Sequence, residues 1–229
     1  MIDLPCREVN IACWPLRPPV AAVRMPGMAS RGLGSVEGSS AEGARVESES
    51  KGSGLLLVKG QLEGAGLDWG VAAGAAVYIY AGNRLPTDVD LLVRPEELSK
   101  VGRLLGVVPK LERTGWGEEE KIALGEMEIA GRLVIRVGGE SYPYGMDGPM
   151  VERLRRGTLE GVEVPVLAPE DVIAMKAVLQ RGPEQGKHDI EDIEALAAAV
   201  EIDAAYLRWR LRRMGAEVRA RAILEKWGW

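Results

Sequence analysis

The chain has 229 residues, 46% hydrophobic and 28% charged, with a formal net charge of −5, enough for one substantial core plus a small helical annex. That composition excludes a chain disordered throughout and a collagen-like one, and no apolar run reaches the ~18 residues needed to cross a bilayer. Two cysteines, Cys6 and Cys13, and one histidine, His188, exclude a disulfide framework and a His-clustered metal centre.

Residues 1–53 read as a disordered or non-native extension. Five prolines fall before Gly27, and glycine, serine and glutamate dominate from there to Ser53, without a period of 2 or 3.6. Such a segment buries too little apolar surface to offset its ordering entropy. A start at Met25 or Met28 would leave residues 1–24 outside the native chain. No apolar h-region of about 7–15 residues follows a basic start, so no secretory signal is read; a cytoplasmic protein is expected.

From Gly54 a pattern emerges. LLLVKGQL (55–62) predicts a short helix and LDWGVAA (67–73) a buried strand ending at Gly74. AAVYIYA (75–81) predicts a helix opening directly behind that glycine, and TDVDLLV (87–93) a strand. Pro95 fits the first turn of a helix over 95–105. Residues 121–129 and 132–137 are expected to form a hairpin turning at Ala130-Gly131, and 158–167 another turning near Gly161. Beyond Ala168 the pattern is helical at 169–181, 189–200, 203–214 and 216–227. The expected architecture is an α/β (α+β) fold: a mixed-sheet core over 54–167 and a C-terminal helical bundle over 168–229.

The stretch 71–93, VAAGAAVYIYAGNRLPTDVDLLV, carries the chemistry. Asp88 and Asp90, at i and i+2 on a strand, project to the same side, close enough to share a hard cation such as Mg²⁺. Gly74, at a strand-to-helix corner, lets backbone amides approach a phosphate, and the helix N-terminus adds about half a positive charge. These are two halves of a nucleotidyl-transfer site. An isolated Asp-x-Asp also suits a strand whose acids face solvent at a sheet edge; the buried strand, glycine and helix ahead of this pair set it apart.

The same stretch resembles motif I of the DNA polymerase β-like nucleotidyltransferase superfamily: a Gly-Gly or Gly-Ser turn, about a dozen residues, then Asp-hydrophobic-Asp on a strand. Gly74 matches the turn, Asp88 and Asp90 the metal-binding pair, and RLPTDVDLLV (84–93) the run of its minimal and toxin-like branches. The resemblance implies Mg²⁺ on Asp88 and Asp90, with a two-metal site possible in such enzymes. It implies an NTP held near Gly74, Ala75, Arg84 and Thr87. Ala73 stands where the family has glycine, and alanine resists φ > 0. The third carboxylate is also missing from RLVIRV (132–137), where Val134 or Ile135 takes its place. Glu126, Glu128 and Glu140 are the candidates to substitute.

The resemblance continues through PEDVIAMKAVLQRGPEQGKHDIEDIEAL (169–196), which is similar to the branch containing AbiE-type toxins. Asp171 and Lys176 match one of its motifs; Arg181, Lys187, Asp189 and Asp192 match the next, with His188 interposed. The implied roles are a cation near the triphosphate for Lys176, nucleotide contacts for Arg181 and Lys187, and an orienting acid for Asp189. Plainer readings stand beside these. Asp189 and Asp192 fit a helix cap, and Lys176 would snorkel out of its apolar segment. His188 fits a solvated helix start.

From Tyr206 to Trp229, seven basic residues outweigh Glu217 and Glu225. Arginines and tryptophans there suit nucleic acid, but Leu207, Leu211, Met214, Val218 and Ile223 equally suit an amphipathic helix pair. Two functions are therefore expected of the sequence. One is Mg²⁺-dependent transfer of an NMP from an NTP to a hydroxyl of RNA, protein or a small molecule, with tRNA or a cognate antitoxin as partner and no membrane. The other is a catalytically impaired member of the fold acting as a nucleotide- or partner-binding regulatory module.

Overall fold

The computed structural model describes residues 40–229, with side chains from residue 52. The expectations for residues 1–39, including Cys6, Cys13 and the starts at Met25 or Met28, lie outside the described residues. Helix α1 (Ser40–Gly64) exceeds the predicted 55–62. Leu55, Val58 and Leu62 are buried at the i, i+3, i+7 spacing of one helical face. Strand β1 (Trp69–Val71), helix α2 (Ala73–Ala81) and strand β2 (Val89–Val93) follow in the expected order, but α2 opens at Ala73 and takes Gly74 into its first turn rather than starting behind it; a 3₁₀ turn at Pro95–Glu97 then leads into α3 (Leu98–Leu105).

The middle of the chain departs from expectation. Strands β3 (Lys110–Thr114), β4 (Gly117–Leu124) and β5 (Met127–Val137) form an antiparallel meander, and β6 (Glu140–Tyr144) folds back on the second half of β5. The hairpin turns at Gly125-Glu126 rather than at Ala130-Gly131. Gly125 has φ +63°, which glycine adopts at no steric cost. Gly131 instead lies inside β5, where Glu120 faces Arg132 and Lys121 faces Ala130, leaving the glycine as the extra residue of a bulge. A Cβ there would come within 2.9 Å of Leu98 Cβ, so the glycine serves the close approach of α3.

Helix α4 (Gly148–Glu152) precedes the hairpin β7 (Arg155–Leu159) and β8 (Val162–Val166). Helices α5 (Pro169–Leu179), α6 (Asp189–Ala199), α7 (Ala204–Met214) and α8 (Glu217–Trp227) complete the chain. The fold is mixed α+β, its strands in one sheet ordered β3-β4-β5-β2-β1-β8-β7 with β6 on β5. Strand β1 runs antiparallel to β2 and parallel to β8, and β2 runs parallel to β5. Helix α5 is buried along its whole length because α2, α6, α7 and α8 all pack on it. Among the described residues no helix is long and apolar enough to cross a membrane.

Candidate active site

One cleft of about 510 Å³ gathers most of the residues singled out in the sequence. Asp88 and Asp90 lie at and just inside the start of β2, and both line it. Thr87 donates its hydroxyl to Asp88 Oδ1 at 3.3 Å. Burial pushes the Asp90 carboxyl up to about 7, with the charges of Asp88, Glu119 and Glu128 adding to the effect. Carboxylates forced this close repel unless a proton or a cation intervenes.

Above this acidic wall sits the start of α2. Its N-cap, Ala72, offers no side-chain cap, and the first turn carries no acid, so the amide donors and partial positive charge of the helix end are not neutralised locally. Gly74 lines the cleft, and a Cβ added to it would meet nothing within 4 Å. Ala73 adopts φ +46°, the left-handed conformation for which glycine is the unstrained choice. Ala75 is fully buried in the core and lines no part of the cleft.

The opposite wall comes from α5, α6 and the loop between them. Lys176 does not snorkel: its side chain is 4% exposed, with Nζ 3.2 Å from Asp189 Oδ1 and 2.8 Å from Asp192 Oδ2. Arg181 donates its backbone N–H and Nε–H to Asp189 Oδ2, each at 2.9 Å. Arg84 reaches Asp192 Oδ1 at 3.0 Å. Burial alone would raise Asp189; the hydrogen bonds from Arg181 and the charges of Lys176 and Arg181 outweigh it and hold the carboxyl below its usual range. Neither aspartate side chain caps α6, whose N-cap residue His188 has no side-chain cap either. They tie the buried Lys176, Arg181 and the half-exposed Arg84 into one network instead. Lys187 lines the cleft, exposed, and among the described residues makes no ion pair; His188 pairs with Glu191 at 2.6 Å.

Asp171 lies elsewhere. It is fully buried against Arg210 Nε at 2.7 Å and the Tyr206 hydroxyl at 2.9 Å, fastening α5 to α7. Arg210 also grips Asp147 through both Nη atoms, at 2.8 and 3.0 Å. Arg213 joins Asp147, Arg212 pairs with Glu217, and Lys226 pairs with Glu194. Trp209 stacks on Tyr206, and Trp227 on Trp229. Much of the basic, tryptophan-bearing tail is thus engaged within the fold.

Of the three candidate substitutes for the missing carboxylate, Glu128 lines the cleft, directly opposite Asp90 in the parallel β2–β5 register. Glu126 falls beside the Gly125 turn and Glu140 opens β6, both off the cleft. Among the lining residues that the sequence did not single out are Trp116, Glu119 and Lys121. Lys121 Nζ sits 2.7 Å from Glu128 Oε2 and 3.5 Å from Glu119 Oε2. Arg181 lies over the Trp116 ring, 5.1 Å from its centroid. The signal for β4 was its run of glutamates ending in a lysine, which reads equally as a solvated edge.

A divalent cation suits the donors present. Asp88 and Asp90 offer hard oxygens, and Mg²⁺ is commonly held by one or two carboxylates with water and substrate phosphate completing the shell. Among the described residues, no three His, Cys, Asp or Glu side chains converge to hold a metal on their own.

No protein-family model matches the chain, and no curated protein does. Solved structures do resemble it. A Thermotoga maritima protein assigned as a nucleotidyltransferase aligns over 64% of this chain and 90% of its own at 17% identity, TM-score 0.45. ANT(2'')-Ia in complex with adenylyl-2''-tobramycin aligns over 74% of this chain and 99% of its own, 13% identical, TM-score 0.48. The lincosamide antibiotic adenylyltransferase LnuA, lincomycin-bound, covers 64% of this chain and 96% of its own, 16% identical, TM-score 0.39.

Proposed function

We propose that the cleft is a nucleotidyl-transfer site that moves an NMP from an NTP to an acceptor hydroxyl. The observation that carries the proposal is the convergence of Asp88 and Asp90 with the uncapped start of α2 and a cationic wall in one cleft. Asp88 and Asp90 would hold Mg²⁺, which supplies charge neutralisation on the triphosphate and activation of the attacking oxygen. The amides behind Ala73 and Gly74 receive phosphate oxygens. Lys187 and Arg84, the exposed cations of the cleft, hold the outer phosphates. Lys176, Arg181, Asp189 and Asp192 act mainly by fixing one another, so that the wall keeps its shape while substrate binds. In this reading residues 54–167 carry the chemistry and residues 168–229 close the cleft.

The acceptor is left to RNA, protein or a small molecule. The paired arginines of α7 weaken the case for RNA made by the basic tail. The resemblance to the AbiE-type branch extends the proposal to a cytoplasmic toxin held by an antitoxin protein, tested by purifying the chain with its bound partner from its own host. The direct test is incubation with Mg²⁺ and NTPs labelled at the α-phosphate, in the presence of host tRNA, protein and small-molecule extract. Label should pass to an acceptor with wild-type protein and vanish with Asp88→Ala or Asp90→Ala. A regulatory, non-catalytic module is the second reading, favoured by the strained Ala73 and by Lys121 occupying Glu128; nucleotide binding without transfer to any acceptor would establish it.

A further inference from the structure

The acidic wall already contains a cation. Lys121 projects from β4 with its side chain only 11% exposed, and its Nζ lies 2.7 Å from Glu128, 2.9 Å from Glu112 and 3.5 Å from Glu119. The bulge at Gly131 sets the pairing: it shifts the β4–β5 register between Glu120 and Lys121, so that Lys121, which lines the cleft together with Glu119, stands opposite Ala130. Without the bulge, the strict alternation of a strand would still place residues 119 and 121 on one face, but opposite different partners. With it, Lys121 pairs with Ala130 in the ladder, and its ammonium reaches Glu128 one turn of the pleat away.

Glu128 is therefore a carboxylate in the right place with the wrong partner. It stands across the parallel ladder from Asp90, on strands about 4.8 Å apart, yet it is bonded to the ammonium. Four carboxylates line this side of the cleft: Asp88, Asp90, Glu119 and Glu128. Two divalent ions would neutralise four such charges. With one lysine fixed among them, a single divalent ion leaves the wall one charge short of neutral, and a second makes it positive.

We propose that Lys121 is a resident counter-ion standing in for a second metal, so that the cleft takes one divalent cation, on Asp88 and Asp90. The inference rests on the nucleotidyl-transfer reading, since it assumes a metal at that pair. Lys121 is a positioning residue: it holds Glu128 and Glu119 away from the metal and supplies permanently the charge that another ion would bring. A lysine cannot lower the pKa of a bound water as a metal does, so Lys121 supplies the charge of a second ion without its water chemistry.

The test counts ions rather than activity. Manganese is titrated into metal-free protein, and free Mn²⁺ is read by electron paramagnetic resonance. Wild type and Lys121→Arg are expected to bind one ion per chain, Lys121→Met two, and Asp88→Asn/Asp90→Asn none at the tight site. Two ions in wild type overturn the inference, as does a folded Lys121→Met that still binds one. Should Lys121→Met fail to fold, the counts for wild type and Lys121→Arg decide: one each supports it, and two in either refutes it. A wild-type chain that binds no Mn²⁺ at all refutes the metal reading of Asp88 and Asp90 itself, a result distinguishable from a count of two.

Discussion

Replacing Asp90 with asparagine should stabilise the metal-free protein while destroying the site. In the folded state the Asp90 carboxyl is pushed from 3.8 up to about 7 by burial and by Asp88, Glu119 and Glu128. The folded chain thus holds this proton more tightly than the unfolded one. Stability contributed by the protonated acid is complete below pH ~4 and is lost as pH rises towards 7. The displacement corresponds to about 4 kcal/mol at 1.36 kcal/mol per tenfold change in proton affinity. Asparagine keeps the shape and removes the charge. At ~2–4 °C per kcal/mol for a chain of this size, Asp90→Asn should melt up to about 8–16 °C above wild type at pH 8 in EDTA, and the two should converge near pH 4. Differential scanning calorimetry across that range measures the difference. An Asp90→Asn protein that melts at or below wild type at pH 8 would refute the claim that this carboxylate is held against burial and the repulsion of its neighbours.

Three further outcomes follow from the same geometry. Lys176→Met leaves Asp189 and Asp192 buried with only Arg181 and Arg84 as cationic partners, so thermal melts should show a loss of about 3 kcal/mol together with weaker nucleotide binding; an unchanged melt would contradict the buried network. Ala73→Gly relieves a left-handed alanine that costs roughly 1–2 kcal/mol, partly offset by the greater freedom of glycine in the unfolded chain, and the urea midpoint should rise by an equivalent of about 0.5–1 kcal/mol. Arg210→Met strands Asp171 in the interior without a cation, leaves Asp147 to Arg213 alone, and should lose about 3–5 kcal/mol, while nucleotide affinity at a temperature where the variant is folded stays unchanged, because Arg210 lines no part of the cleft.

The acidic pair was legible because strand period and motif agree: Asp88 and Asp90 sit two apart beside Val89 and Leu91, which are buried, and the glycine and helix before them fix the corner. Helices α5 and α6 were legible from their apolar runs. What escaped was set by tertiary contact. Strand β3, KLERT, is exposed nearly throughout, so no apolar face announces it. The residues of β6, ESYPY, include a proline and pair only with the far end of β5. Gly131 resembles a turn glycine in sequence, and only the approach of Leu98 reveals its use. Lys121 and Glu119 escaped for the same reason, since a bulge in β5 decides which partners a charge on β4 meets. The fate of Asp171 and Arg210 was equally hidden: a helix-start acid and a tail arginine look solvated until α7 folds across α5.

Isothermal titration of the four NTPs, with Mg²⁺ and with EDTA, against wild type and Asp88→Ala/Asp90→Ala tests the central claim most directly. At least one NTP should bind wild type only with Mg²⁺, and the double variant should lose that binding while remaining folded. Binding that survives both EDTA and loss of the two aspartates, or no binding of any NTP, would contradict it.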